Sequence, residues 1–247
     1  FRAVVTALGL TLAVAMLVVS LFSRDSMDDL MRRHFEKEWP FDYLVRTLDP
    51  VREADLLSVS RLPGVTASEP VFELPVRLHF MGRSREDLLF AMHPGSRLGR
   101  VIVRDGHELD FPEEGFFLDW YAARVLGAKT GDDIEVETIL GIGPPRRSLL
   151  RVVGISRKAF GSASATSLSV ANRLLNEERT ASGMVLTTDG SADERLEQEL
   201  GEMTNVISVT DREKEVEYLE KNLRYLYYSV GIMVIFSTIL GFAIVYN

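Results

Sequence analysis

The stretch from residue 210 to residue 247 constrains the fold more than any other part of the chain. It reads as one long helix in two halves. Thr210 and Glu213, three residues apart, have the spacing of a capping box, which predicts the helix start. Val216, Leu219, Leu223, Leu226 and Val230 then recur at alternating steps of three and four, an apolar stripe at helical period. Glu217 can pair with Lys221, and Glu220 with Arg224, each at i,i+4 in the favoured direction. After Arg224 charge disappears, and residues 230–245 are nearly all aliphatic or small. At 1.5 Å per residue the uncharged half covers roughly 30 Å, enough to cross a bilayer. The charged half would stand roughly 20 Å beyond it. Such a helix can carry displacement between an outer domain and a membrane; it also serves as a plain anchor with a spacer.

A second apolar run, residues 3–22, opens the chain. Only Thr6, Thr11 and Ser20 interrupt it. It is too long and uniform for a signal-peptide core and has no small-x-small cleavage pattern, so a retained transmembrane helix is expected rather than a cleaved signal. Arg2 alone is thin support for a cytoplasmic start. Met27, Leu30, Met31 and Phe35 continue one apolar face past the run, a second stalk that could pack against residues 216–226. Two spans put both chain ends on one side of the membrane and everything between them on the other.

Arg2 is the only charge outside residues 24–224, so that region has net charge -9 where the whole chain has -8. This argues against broad binding of nucleic acid or anionic lipid. The absence of cysteine excludes a disulfide framework, cysteine-based zinc sites and a lipidated N-terminal cysteine.

Between the spans the chain reads as α+β. Residues 43–48 look like a strand. Asp49-Pro50 then reads as a helix start, with the helix running to about Leu62 and ended by Pro63-Gly64. Residues 65–69 lead into a second strand. The same order returns late, with a strand at 184–188, a capping box at Ser191 and Glu194, a helix face at Leu196, Leu200 and Met203, and a strand at 206–209. Two β-α-β units, one beside each span, suggest an α/β base built from both ends of the domain. Residues 76–176 differ: short strands at 76–80, 87–91, 100–103, 134–139 and 149–155 alternate with Gly- and Pro-containing turns. A short helix at 119–126 ends at Gly127. Residues 160–169, rich in Ser, Ala and Gly, read as a flexible loop, and a helix near 170–177 returns the chain to the base.

In this order several short motifs resemble a known family. They are Leu62-Pro63-Gly64-Val65 before Glu69-Pro70, Gly115-Phe116-Phe117-Leu118 before Ala122-Ala123-Arg124-Val125-Leu126-Gly127-Ala128, Thr130-Gly131-Asp132-Asp133-Ile134-Glu135-Val136, Val152-Val153-Gly154-Ile155, and the ending from Gly241 to Asn247. The whole chain resembles the MacB/FtsX-type permease subunits of bacterial ABC transporters. The resemblance implies an extracytoplasmic Porter-like base with a β-rich Sabre-like lobe, between two transmembrane helices with helical stalks. The divisions expected are residues 1–23 (first span), 24–75 (stalk and first half of the base), 76–179 (lobe), 180–222 (second half of the base and stalk) and 223–247 (second span). It implies a place in the bacterial cytoplasmic membrane with the central domain outside. The partners implied are a separate cytoplasmic ABC ATPase, the remaining permease spans or a second permease copy, a periplasmic adaptor protein and the lipid bilayer, with no nucleic acid. The chain itself would not hydrolyse ATP; its stalks would relay the ATPase's closure. The rival reading is the ligand-sensing domain of a two-span membrane receptor.

Catalytic chemistry finds no motif. Gly127-Ala128-Lys129-Thr130 lacks the glycine spacing and the feeding strand of a phosphate loop. His34, His79, His93 and His107 are well separated and form no metalloprotease pattern. No serine occupies a nucleophile elbow. No catalytic, cofactor-binding or metal residue is therefore nominated. Tyr225, Tyr227, Tyr228 and Trp39 fit an aromatic belt at a membrane interface. Phe111, Phe116, Phe117, Trp120 and Tyr121 are expected in the lobe's core, with an apolar partner-binding patch as the other reading. Gly231, Gly241, Ser237 and Thr238 are small enough for close helix approach in lipid.

Overall fold

The computed structural model describes residues 2–33, 40–56, 58–103, 105–139, 145–158, 162–190, 194–203 and 205–246; for some helix residues the backbone alone is described. The chain divides into two units, Phe1–Arg33 with Glu213–Asn247, and His34–Arg212.

The first unit holds two long helices, α1 (Arg2–Arg33) and most of α6 (Arg212–Tyr246). Both continue without a break from the apolar run into the charged segment. The stripe expected on α6 is its less exposed side: Val216, Leu219, Leu223 and Val230 are half-buried, while Glu215, Glu217, Glu220 and Lys221 are exposed. Ser237 is buried, with its hydroxyl 3.6 Å from Met16 Sδ and donating to Met233 O at 2.7 Å. Gly231 has no neighbour that an added Cβ would touch. Tyr225 and Tyr228 are exposed. Trp39, Phe35 and His34 lie outside the described residues, and for Leu226 and Gly241 the backbone alone is described. Among residues whose side chains are described, no helix is long and apolar enough to cross a membrane.

The second unit is α+β. Its base is a sheet of four strands, β1 (Tyr43–Arg52), the first half of β2 (Val65–Phe80), β10 (Thr180–Thr188) and β11 (Val206–Asp211), in the order β11-β1-β10-β2. Every neighbouring pair is antiparallel. Hence β1 and β2 run parallel with β10 between them, and β10 and β11 run parallel with β1 between them. These are two interlocked split β-α-β units, the ferredoxin-like arrangement. Their helices, α2 (Glu53–Leu56) with a turn of 3-10 helix at Val59–Arg61, and α5 (Glu194–Gly201), share one face. There Tyr43, Val45, Met184 and Leu186 pack on Leu56, Val59, Leu196 and Leu200.

The helix expected from Asp49 is shorter and later. β1 continues through Pro50 to Arg52. Asn205, at φ 72, makes this possible: its carbonyl accepts from Leu48 N and its amide bridges Asp49 N and O. The β1–β10 ladder is interrupted between Arg46 and Val51, which is where a proline without an N–H can sit in a strand. The strands expected at 65–69 and 76–80 are one strand of 16 residues, β2. Its Pro70 lies where β2 is the edge of the base, and its Pro75 just before pairing with β7 begins at Val76. Thr210 is not a helix cap. It belongs to β11, opposite Leu44, and α6 starts two residues later. Ser191 lies outside the described residues.

The insertion between β2 and β10 is a closed barrel. Its strands are the second half of β2, β3 (Arg83–Met92), β9 (Ser164–Ser167), β6 (Phe116–Asp119), β8 (Arg147–Ser156) and β7 (Asp133–Thr138), in that order, and β7 pairs back onto β2. Closure removes the sheet edges that would otherwise be open to pairing. The base hands β2 to the barrel between Val71, the last residue paired with β10, and Phe72, the first paired with β3. Inward residues alternate along the strands (Leu74, Val76 and Leu78; Leu89 and Ala91; Phe116 and Leu118; Ile134 and Val136). α3 (Trp120–Leu126) and α4 (Leu168–Leu175) add Ala122, Leu126, Ala171 and Leu174 to that interior. A further cluster lies on the other face of the base, where Leu44, Val71 and Val185 meet Phe90, Met92, Phe111, Phe117 and Ala165. A two-stranded ribbon, β4 (Val101–Ile102) and β5 (Glu108–Leu109), sits beside it.

The loop expected at 160–169 contains β9, a buried strand between β3 and β6. Each of its hydroxyls has a partner: Ser164 donates to Asp87, Thr166 to Gly115 O, and Ser167 to Glu113 O while capping α4 through Val170 N. Small side chains let the strand pass between two packed layers, and hydrogen bonds replace the contacts larger side chains would make.

Candidate functional site: a clamp at the foot of the domain

The first and last strands of this unit, β1 and β11, lie side by side, which brings Asp42 and Arg212 together at one junction. Asp42, just before β1, closes this junction. Its carbonyl accepts from Arg212 N at 2.8 Å, and its carboxylate lies 3.2 Å from the Arg212 guanidinium. The other carboxylate oxygen accepts from Thr188 N at 2.8 Å and from the Thr188 hydroxyl at 3.3 Å. One short acidic side chain thus ties the start of β1, the end of β10 and the first residue of α6.

Arg46 forms a second tie, further up β1. It donates to Thr210 Oγ1 on β11 at 2.9 Å, and its fork grips both oxygens of Glu73 on β2, at 2.5 and 3.1 Å. Glu73 N donates to Ser182 Oγ on β10 at 2.8 Å. The tie therefore spans all four base strands. Its far end is the residue after Phe72, where β2 leaves the base for the barrel. The bidentate geometry and partial burial (side chains 32% and 17% exposed) place it above the roughly 0–1 kcal/mol of an exposed ion pair. Gly183, opposite Arg46, permits the close approach of β10: a Cβ there would stand 2.2 Å from Val45 O.

Two more carboxylates brace base against barrel. Glu69 of β2 accepts from the Ser96 hydroxyl and from Arg97 N at 2.9 Å, holding the turn after β3. Glu53 of α2 meets His93 Nε2 at 3.1 Å.

At the barrel's other end α3 lies across the mouth. Asp119 caps it, accepting from Tyr121 N and Ala122 N, and also from Ser162 Oγ. Asp87 faces the same interior and accepts from Ser164 Oγ, which in turn accepts from Asp119 N. Burial pushes the Asp87 carboxyl above the ordinary carboxylate value; the Ser164 bond opposes this, and the Asp119 charge adds to it.

The remaining residues singled out in the sequence scatter. His79 meets Glu137 at 2.7 Å, and that bond is the main cause of Glu137's lowered pKa. His107 is exposed near Asp105. Among the described residues no three His, Asp or Glu side chains could hold a metal ion. Gly127, at φ 76, ends α3, and Lys129 N donates to Asp132 in a turn. Of the lobe aromatics Phe111, Phe116 and Phe117 are buried, but Trp120 and Tyr121 are exposed on α3. Asp42, Arg46, Glu73 and Gly183 were not nominated from sequence. A lone arginine inside the apolar run Tyr43-Leu44-Val45-Arg46 is the one signal that could have found the clamp.

No protein-family model matches the chain, and no curated protein matches it. Solved structures similar to the chain include two domains of transporters. One is the periplasmic region of MacB from Actinobacillus actinomycetemcomitans, 10% identical with a TM-score of 0.47, covering 78% of this chain and 97% of that one. The other is the extracellular domain of the noncanonic ABC-type transporter YknZ from Gram-positive bacteria, 13% identical with a TM-score of 0.44, covering 68% and 99%. Both scores lie below 0.5, so what the domain does has to be argued from its own residues.

Proposed function

We propose that this chain belongs to the permease subunit of a bacterial ABC transporter: a first span, an extracytoplasmic domain and a second span. A separate cytoplasmic ATPase drives it, together with further spans or a second permease copy in the cytoplasmic membrane. The uncharged runs at 3–22 and 225–247, each continuing into a charged helical stalk, support the placement. The family motifs in order between them support the class. The observation that carries the mechanism is the Arg46 clamp. Motion delivered through α6 reaches β11 first. Arg46 passes it from Thr210 across the base to Glu73, and β2 carries it into the barrel without a break in the strand. The output is movement of the barrel against whatever the transporter handles.

The test uses the full-length permease with its ATPase in lipid vesicles, spin-labelled at Met81 and Ile207, both exposed. ATP should change the label separation in the wild type. Arg46→Ala should abolish that change while ATP hydrolysis continues, and Leu219→Pro should do the same by breaking α6 below the clamp. An unaltered ATP-dependent change in both variants would rule out the relay. A two-span receptor would instead change the separation on ligand addition, with no ATPase present.

A further inference from the structure

The apolar cluster between base and barrel is not completely filled. It leaves a small cleft walled by Phe41, Phe90, Leu98, Val101, Phe111 and Ala165. The Phe90 and Phe111 rings stand 6.3 Å apart, tilted at 45°. The space is about 20 Å³, room for one water-sized group, so a ligand enters it only by a thin edge. One hydroxyl is stranded in this wall. β8 carries an extra residue at Val153, after which Phe117 lies beside Gly154 and Asp119 beside Ser156. The bulge therefore puts Ser156 on the same face as Phe117, toward the cleft that Ser156 lines. Ser156 is 3% exposed, and its Oγ is buried with no hydrogen-bond partner among the described residues. Such groups are rare, because a buried hydroxyl without a partner has lost its water for nothing. Lys158, two residues on, also lines the cleft, with Nζ 5.0 Å from the centre of the Phe90 ring. The other cation there, Arg100, is paired with Asp110. Among the described residues no carboxylate lines the cleft, although residues 24–224 carry net charge -9.

Each feature narrows the ligand. The small space excludes branched and bulky groups, and three phenyl walls favour the edge or face of another flat ring. The Ser156 hydroxyl and the Lys158 ammonium can both donate, and no acid in the wall opposes a negative group. We infer that this cleft is a binding site for a small aromatic carboxylate. Its ring would lie against Phe90 and Phe111, and its carboxylate would accept from Ser156 and Lys158. Phe41 is joined to Asp42, so the ligand would sit one residue from the tie to Arg212. The inference stands without the permease reading.

The test titrates benzoate into the full-length protein in lipid nanodiscs, read by saturation-transfer NMR against empty nanodiscs. Saturable binding is expected. Lys158→Gln should weaken it about tenfold, and Ser156→Ala severalfold. Ala165→Leu, which fills the cleft, should abolish it while circular dichroism stays unchanged. If Ala165→Leu does not fold, the Lys158→Gln comparison decides alone. Benzylamine, with the same ring and the opposite charge, should not bind, and hexanoate should bind more weakly than benzoate. The absence of saturable benzoate binding at millimolar concentration would overturn the proposal and leave the cleft to a water molecule. Binding unchanged in Lys158→Gln would overturn it too, as would benzylamine or hexanoate bound as tightly as benzoate.

Discussion

The base and the barrel share a strand but are held together differently. The barrel is closed, its interior is mainly apolar, and its two buried carboxylates are held by serine hydroxyls and the end of a helix. The base is open at β11 and at the first half of β2, and its cross-strand ties are charged side chains reaching over the sheet from partly solvated positions. Apolar packing against a closed wall resists small displacements, because interiors have few voids to yield into. Ion pairs across an open sheet, even bidentate ones, are fewer and more solvated contacts than those of a closed apolar wall. The contrast predicts a stiffer inserted lobe and a more adjustable base.

Substitutions can break or sharpen this contrast. Phe116→Ala, in the barrel, should cost about 3–5 kcal/mol, measured by denaturant unfolding of the purified protein. If it costs no more than the base variants below, the barrel is not the rigid part. Gly183→Ala forces a methyl against the backbone of Val45 and should cost about 1–3 kcal/mol in the same measurement. Arg46→Ala leaves Glu73 without its fork and should cost about 1–2 kcal/mol, a loss small beside its expected effect on coupling.

Asp87→Asn probes the barrel from the opposite side. The folded-state pKa of Asp87 is raised above its unfolded value near 3.8. Its stabilising share is therefore fully present below that value and is lost as pH rises through the folded pKa. At pH 7 the asparagine variant should melt at or above the wild-type temperature, with the gap closing as pH falls toward 4. A gap that does not change with pH would mean that Asp87 is already charged in the folded protein. The smallest effect is expected from Glu86→Gln. Its bond to Arg77 lies on the open surface, so the melting temperature should stay unchanged at physiological salt.

The sequence was legible wherever apolar period and turn chemistry agreed. The stripe on α6, the capped helix at Asp119, the α5 face and most barrel strands follow from spacing alone. It failed where long-range pairing overrode local preference. Asp49-Pro50 looks like a helix start until Asn205, far along the chain, ties it into a strand. Ser164, Ala165, Thr166 and Ser167 look like a loop because their composition is that of loops; only the partners of their hydroxyls make them a buried strand. The clamp shows the same limit, since Arg46, Glu73 and Thr210 come together only once the base sheet exists.

The split order of the base has a consequence for how the chain is made. β1 pairs with nothing until β10 and β11 are synthesised, since Tyr43 waits for Leu186 and Asp211. At cellular rates of roughly 5–20 residues per second that delay is on the order of ten seconds. All the barrel's strands are complete before β10 appears, so the lobe can fold while the base is still half-made. The newborn chain therefore carries an unpaired Tyr43-Leu44-Val45 strand through synthesis. Arg46, the charge beside it, has the position of a gatekeeper residue at the end of an apolar strand.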